Sequence, residues 1–69
     1  MKKIKVVFSI ENDYQFMEIF ELRVIPKIGE TVKFIRYGDK RIFTVVRIEH
    51  DLDLDTNSYY ITVYIKELV

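Results

Sequence analysis

Apolar and polar positions alternate along most of this chain with a period of two, the pattern of β-strands that turn one face to a core. Over residues 2–10, Ile4, Val6, Phe8 and Ile10 fall on one side; Lys3, Lys5, Val7 and Ser9 fall on the other. The turn formers in "ENDY", residues 11–14, end this first strand. The next run, "QFMEIFELRVI", reads two ways. Phe16, Ile19, Phe20 and Val24 have helical spacing, with Asn12 or Asp13 as a cap. With period two, Phe16, Phe20, Leu22 and Val24 share a face and Glu18 is the exception. The second reading is favoured: a strand over residues 20–25, with 15–19 either extended or a short helical turn.

In "RVIPKIGETVKF", Pro26 fixes its own φ and biases Ile25 toward an extended backbone, while Gly29 suits a positive-φ turn position. That predicts strand, rigid turn, strand. A third strand covers residues 31–37, and Gly38-Asp39 supplies a tight turn. The fourth, residues 41–49, places Ile42, Thr44, Val46 and Ile48 on one face and Phe43, Val45, Arg47 and Glu49 on the other. The second half of "HDLDLDTNS" is a loop. In the fifth strand, residues 59–65, Tyr59, Ile61, Val63 and Ile65 alternate with Tyr60, Thr62 and Tyr64, followed by Lys66.

The expectation is one all-β domain over residues 1–69, a five-stranded antiparallel meander that closes into a small barrel or remains an open sheet needing a partner. Composition agrees. Nearly half the chain is hydrophobic, with five Phe and five Tyr, only two Gly and one Pro, and no Cys. A domain this short buries only about 60% of the surface its unfolded chain exposes, so each large apolar residue counts. Without cysteine there is neither a disulfide nor a thiolate metal cluster, which fits a reducing compartment. Lys5 interrupts the apolar run of "MKKIKVVFSI" and no small-residue cleavage site succeeds it, so this start reads as a strand and not a signal peptide. No stretch approaches the ~20 apolar residues of a membrane helix. The cytoplasm is the expected location.

The residues Val24, Ile25, Pro26, Ile28, Gly29, Glu30 and Val32, then Phe43, Val45, Ile48 and His50, then Ile61, Val63 and Ile65, form a pattern across two thirds of the chain. It resembles small SH3-like barrel proteins of bacteria and phages, many of them uncharacterised. The resemblance implies a recognition or assembly module and names no ligand, because folds do not fix function.

Net charge is zero but patterned: +3 over residues 1–10, −4 over 11–21, +5 over 23–47 and −4 over 49–55. In the basic middle, Lys33, Tyr37, Lys40, Arg41, Phe43 and Arg47 mix cations with rings, the composition of a nucleic-acid surface. The flanking acidic runs would weaken attraction to a polyanion, and nucleic acid is therefore the alternative partner. Asp51, Asp53 and Asp55 with His50 and Asn57 suggest a cation loop, but Thr56 and Thr62 stand where a calcium loop needs Gly and Glu. No metal or cofactor is expected. His50, the single histidine, lacks a nucleophile in a recognisable setting, and none of Glu11, Asp13, Glu18 and Glu21 stands out as part of a catalytic pair. The chain reads as non-enzymatic.

The stronger candidate is a Tyr60-Thr62-Tyr64 stripe ending at Lys66, opposite the Ile61, Val63, Ile65 face. Tyrosine brings a large contact area with a polar tip. The expected function is protein interaction or self-assembly, with a homodimer as one form.

Overall fold

The structure is a computed structural model that describes residues 2–68. Five strands form one curled half-barrel sheet: β1 (Ile4–Ile10), β2 (Asp13–Leu22), β3 (Thr31–Arg36), β4 (Asp39–Asp53) and β5 (Ser58–Glu67). Their order is β2-β1-β5-β4-β3. The all-β class is as expected, but the purely antiparallel meander is not what forms. β1 and β5 pair in parallel, from Val6↔Ile61 to Ile10↔Ile65, while β1/β2, β3/β4 and β4/β5 are antiparallel. The order is that of a ring of consecutive strands cut between β2 and β3. An odd number of strands in such a ring makes the first and last run the same way.

Three short connections carry their turns in residues with positive φ. Asn12 (φ 70°) lies between β1 and β2, and Asn57 (φ 54°) precedes β5. Asn tolerates this region because its side chain bonds locally. Arg36 pairs with Asp39, which leaves Tyr37 (φ 50°) and Gly38 (φ 82°) as the hairpin's two central residues. Positive φ at both is the type I′ geometry that matches strand twist. The turn is thus Tyr37-Gly38, one residue earlier than the Gly38-Asp39 expected.

β2 settles the ambiguous run as a strand from Asp13 to Leu22, and the helical alternative is absent. Phe16 and Leu22 pack inward with period two. Residues 23–25 fall outside the strand, because the chain must there leave one edge of the sheet and reach the other. Residues 23–30 make that crossing. Ile25 packs on the core, the Gly29 N–H donates to the Val45 carbonyl (2.9 Å), and the Val45 N–H donates to that of Glu30 (2.9 Å). Gly29 takes the expected positive φ (92°) in a turn closed by the Glu30 N–H donating to the Lys27 carbonyl (3.0 Å), but the segment crosses between the sheet's two edges instead of joining neighbouring strands.

β4 differs most from simple alternation. Val45 pairs with Ile65 and Arg47 with Tyr64, so Val46 is an extra residue in a β-bulge. The bulge reverses the facing of the residues C-terminal to it. Phe43 and Val45 turn inward before it and Ile48 after it, while Arg47 and Glu49 turn out. An unbroken period of two would group Ile48 with Ile42. The core consists of Val6, Phe8, Phe43, Val45, Ile61, Val63 and Ile65, all on the concave side. Burying one such side chain contributes about 1.5–3 kcal/mol.

Candidate interaction faces

On β5 the two parities separate. Ile61, Val63 and Ile65 join the core; Tyr60, Thr62 and Tyr64 line the outer face. The registers align one row across the sheet as Ile19, Val7, Thr62 and Glu49, and the next as Met17, Ser9, Tyr64 and Arg47. Val7 and Thr62 are each only 8% exposed although they sit on the outside. Taller neighbours shelter them: Met17 and Ile19 on β2, Tyr60 and Tyr64 on β5. The result is an open groove of about 610 Å³ along β1, floored by Val7, Ser9 and Thr62.

Several polar groups around this groove pair with one another. The Tyr64 hydroxyl donates to Glu49 Oε1 (3.1 Å), and Arg47 Nη1 donates to Glu49 Oε2 (2.8 Å). The Arg47 guanidinium lies 3.9 Å from the Tyr64 ring centre. Thr62 Oγ1 donates to Asp51 Oδ2 (2.7 Å), and Lys5 Nζ sits 5.4 Å from the Tyr60 ring centre. Burial, and next the bond to Glu49, raises the Tyr64 phenol above its ordinary pKa. Groups already paired lose little when water is excluded from them. Lys66 continues the stripe but pairs with Thr44, outside the groove lining. Val7, Met17 and Ile19 were missed as site residues. An apolar Val7 on the polar side of β1 was the available signal, and the unresolved register of β2 hid the other two.

Of the residues proposed for nucleic acid, Lys33, Tyr37 and Arg41 line one groove between β2 and β3, while Lys40, Phe43 and Arg47 lie outside it. Lys33 and Lys40 are exposed on the β3–β4 hairpin, with Tyr37 at its apex 99% exposed. Phe43 is fully buried, so its ring offers no face to a base, a correction to its assignment as a surface residue. Arg41 makes a two-point bond to Glu67, at 2.9 Å from both Nε and Nη2, and lies over Phe16 and Phe43 at 5.4 and 5.2 Å. Arg47 is beyond the bulge, held by Glu49 and 3.9 Å from Glu11. His50 is exposed, its Nδ1 2.8 Å from the Tyr59 hydroxyl and the two rings stacked. Among the described residues, no cluster of three His, Cys, Asp or Glu has the placement of a metal site.

The Arg41 bond lowers the Glu67 carboxyl below its ordinary pKa and raises the guanidinium's. A depressed folded-state pKa contributes stability above the ordinary carboxylate range, lost as pH falls through the folded value. Carbon-detected NMR titration should place the Glu67 midpoint below the ordinary glutamate value, and Arg41→Gln should return it there. An unshifted midpoint would show the pair to be broken in solution.

Between β2 and β3 the half-barrel is open. Among the described residues no Cα of β2 lies within 8 Å of a Cα of β3. Side chains alone bridge the gap. Arg36 Nη2 donates to both Glu18 oxygens (3.0 and 3.1 Å), and Phe20 stacks on Phe34 with ring centres 6.1 Å apart. A second groove, of about 730 Å³, runs along this seam.

Comparison with protein families, with characterised proteins and with solved structures returned no match.

Proposed function

We propose that this domain is a non-catalytic interaction module that binds another protein through the outer face of β2, β1 and β5. The observation that carries the reading is the sheltered floor of Val7 and Thr62 between the exposed Met17 and Ile19 and the Tyr60/Tyr64 wall. Aromatic anchors beside a sheltered floor, with the Tyr64 hydroxyl already paired to Glu49, are the features of a binding centre. The proposal extends to the SH3-like resemblance, to a bacterial or phage origin and to the cytoplasm as its place of work. Five curled strands support the first. The parallel β1–β5 pair and the open seam are what an SH3-like assignment must accommodate.

The test is affinity capture from extract with the wild type beside a Tyr60→Ser, Tyr64→Ser double variant, each checked for folding. Two anchors at about 2 kcal/mol each weaken a specific complex by about a thousandfold, so the double variant should capture nothing that the wild type does. Unchanged capture would sink the reading. Salt-sensitive binding to single-stranded DNA or RNA that disappears on charge reversal of Lys33 and Lys40 would replace it with the nucleic-acid alternative.

A further inference from the structure

The two free edges of the sheet are complementary, residue by residue. β2 and β3 run antiparallel to each other across the seam, as their places in the sheet require. Glu18 meets Arg36 and Phe20 meets Phe34, one step of two residues along each strand in opposite directions. That is the register of an antiparallel pair. Continued along both strands, it sets Ile19 opposite Ile35, Glu21 opposite Lys33 and Leu22 opposite Val32. Every pair is apolar with apolar, or acid with base.

The outward pairs are now left in water. Ile19 is 54% exposed and Ile35 63%. A backbone ladder would cover them. A single copy does not form it. Paired antiparallel Cα atoms lie about 4.5–5.5 Å apart, whereas these edges stay beyond 8 Å. The interior explains why. Phe34 is already in ring contact with Phe8 (5.3 Å), Phe16 (5.7 Å) and Phe43 (5.5 Å), so drawing the edges together would overpack it.

We propose that two copies of this chain join edge to edge, β2 of each against β3 of the other, closing two half-barrels into one two-fold symmetric barrel. Charge selects this pairing. β2 against β2 would oppose edges carrying Asp13, Glu18 and Glu21, and β3 against β3 would oppose edges carrying Lys33 and Arg36; like charges across a ladder are destabilising. Only the acidic edge against the basic one is free of repulsion. The exchange keeps the contacts seen within one copy and adds backbone hydrogen bonds, the usual route to a swapped dimer. It shares the β2 edge, with Met17 and Ile19, with the groove but leaves the Tyr60/Tyr64 wall free, and it stands without the reading given to that wall.

The experiment is sedimentation equilibrium and native mass spectrometry on the wild type, on Glu18→Arg and on Arg36→Glu. The wild type is expected to be a dimer. Each variant alone places like charges at both seams and should dissociate at least about tenfold more readily. An equimolar mixture of the two should restore a dimer holding one of each, because one of its seams then pairs Arg with Glu in reversed order and the other keeps Glu18 against Arg36, so like charges meet at neither. Mixing cannot repair contacts within one copy, so this result separates association from simple closure. Ile35→Lys, at a position already exposed, provides a second variant that leaves the single copy folded and should also lower the mass. A wild type that stays monomeric, a mixture that fails to re-form the dimer, or a dimer lost only in the Tyr60→Ser, Tyr64→Ser variant would each overturn the proposal.

Discussion

Phe43→Ala is expected to leave much of the protein unfolded at room temperature. Phe43 is fully buried, in ring contact with Phe16 (5.6 Å) and Phe34 (5.5 Å), and covered by the Arg41 guanidinium. Truncating a buried Phe to Ala costs about 3–5 kcal/mol, the lost transfer energy plus the cavity. At roughly 0.05–0.15 kcal/mol per residue, a domain of this size has only about 3–10 kcal/mol in all. Phe43→Leu keeps most of the volume and should cost about 1–2 kcal/mol. Urea unfolding followed by circular dichroism measures both. A loss below about 1 kcal/mol in the alanine variant would mean that the cluster is not the centre of the core.

A larger effect is expected from Val63→Asp, with a sign that identifies its cause. Val63 is wholly buried, paired with Phe8 on one side and Ile48 on the other, in the middle of the sheet. An aspartate there has no cation on the concave side within its row. Burying an unpaired charge is among the few single changes that cost more than about 4–5 kcal/mol. Desolvation favours the neutral acid, so the carboxyl's folded-state pKa rises above its unfolded value. The folded variant then binds the proton more tightly, and its stability increases as pH falls toward the unfolded pKa. Fluorescence unfolding from pH 7 to pH 4 should show stability regained, whereas Val63→Asn should show no such gain. Equal pH profiles would rule out a buried carboxyl.

The strands that lie wholly in one face pattern were readable from the sequence. Ile61, Val63 and Ile65 alternate with Tyr60, Thr62 and Tyr64, and the structure separates them as that alternation requires. Two kinds of feature were not readable. The first is a local break in periodicity. Arg47 and Glu49 fall on the parity of Phe43 and Val45, a break in phase that does not say which residue is surplus; Val46 is as apolar as Val45, and only the pairing with β5 locates the bulge. Glu18 is the second kind. Its inward position made residues 15–19 look unlike a strand, and its partner Arg36 lies on the opposite edge of the sheet. A carboxylate on a core face becomes sensible only when a distant cation is known. The groove was half legible for the same reason. Its tyrosine wall lies on one strand, but its β2 wall depends on a register that only long-range pairing sets.

The parallel pairing of β1 with β5 has a consequence for how the chain reaches this form. Until β5 exists, β1–β2 and β3–β4 are two separate hairpins with no strand between them, since β5 alone borders both halves. Phe8 and Phe16 touch Phe34 and Phe43 across the two halves, but the sheet joins them only through β5, which brings Ile61, Val63 and Ile65 to the core. On a ribosome the domain therefore cannot assemble stepwise: its middle is the last part to be made. Such long-range closure belongs to the slow end for small domains, milliseconds to seconds. During that interval the acidic edge and the basic edge of neighbouring nascent chains are as available to each other as they are to their own copy.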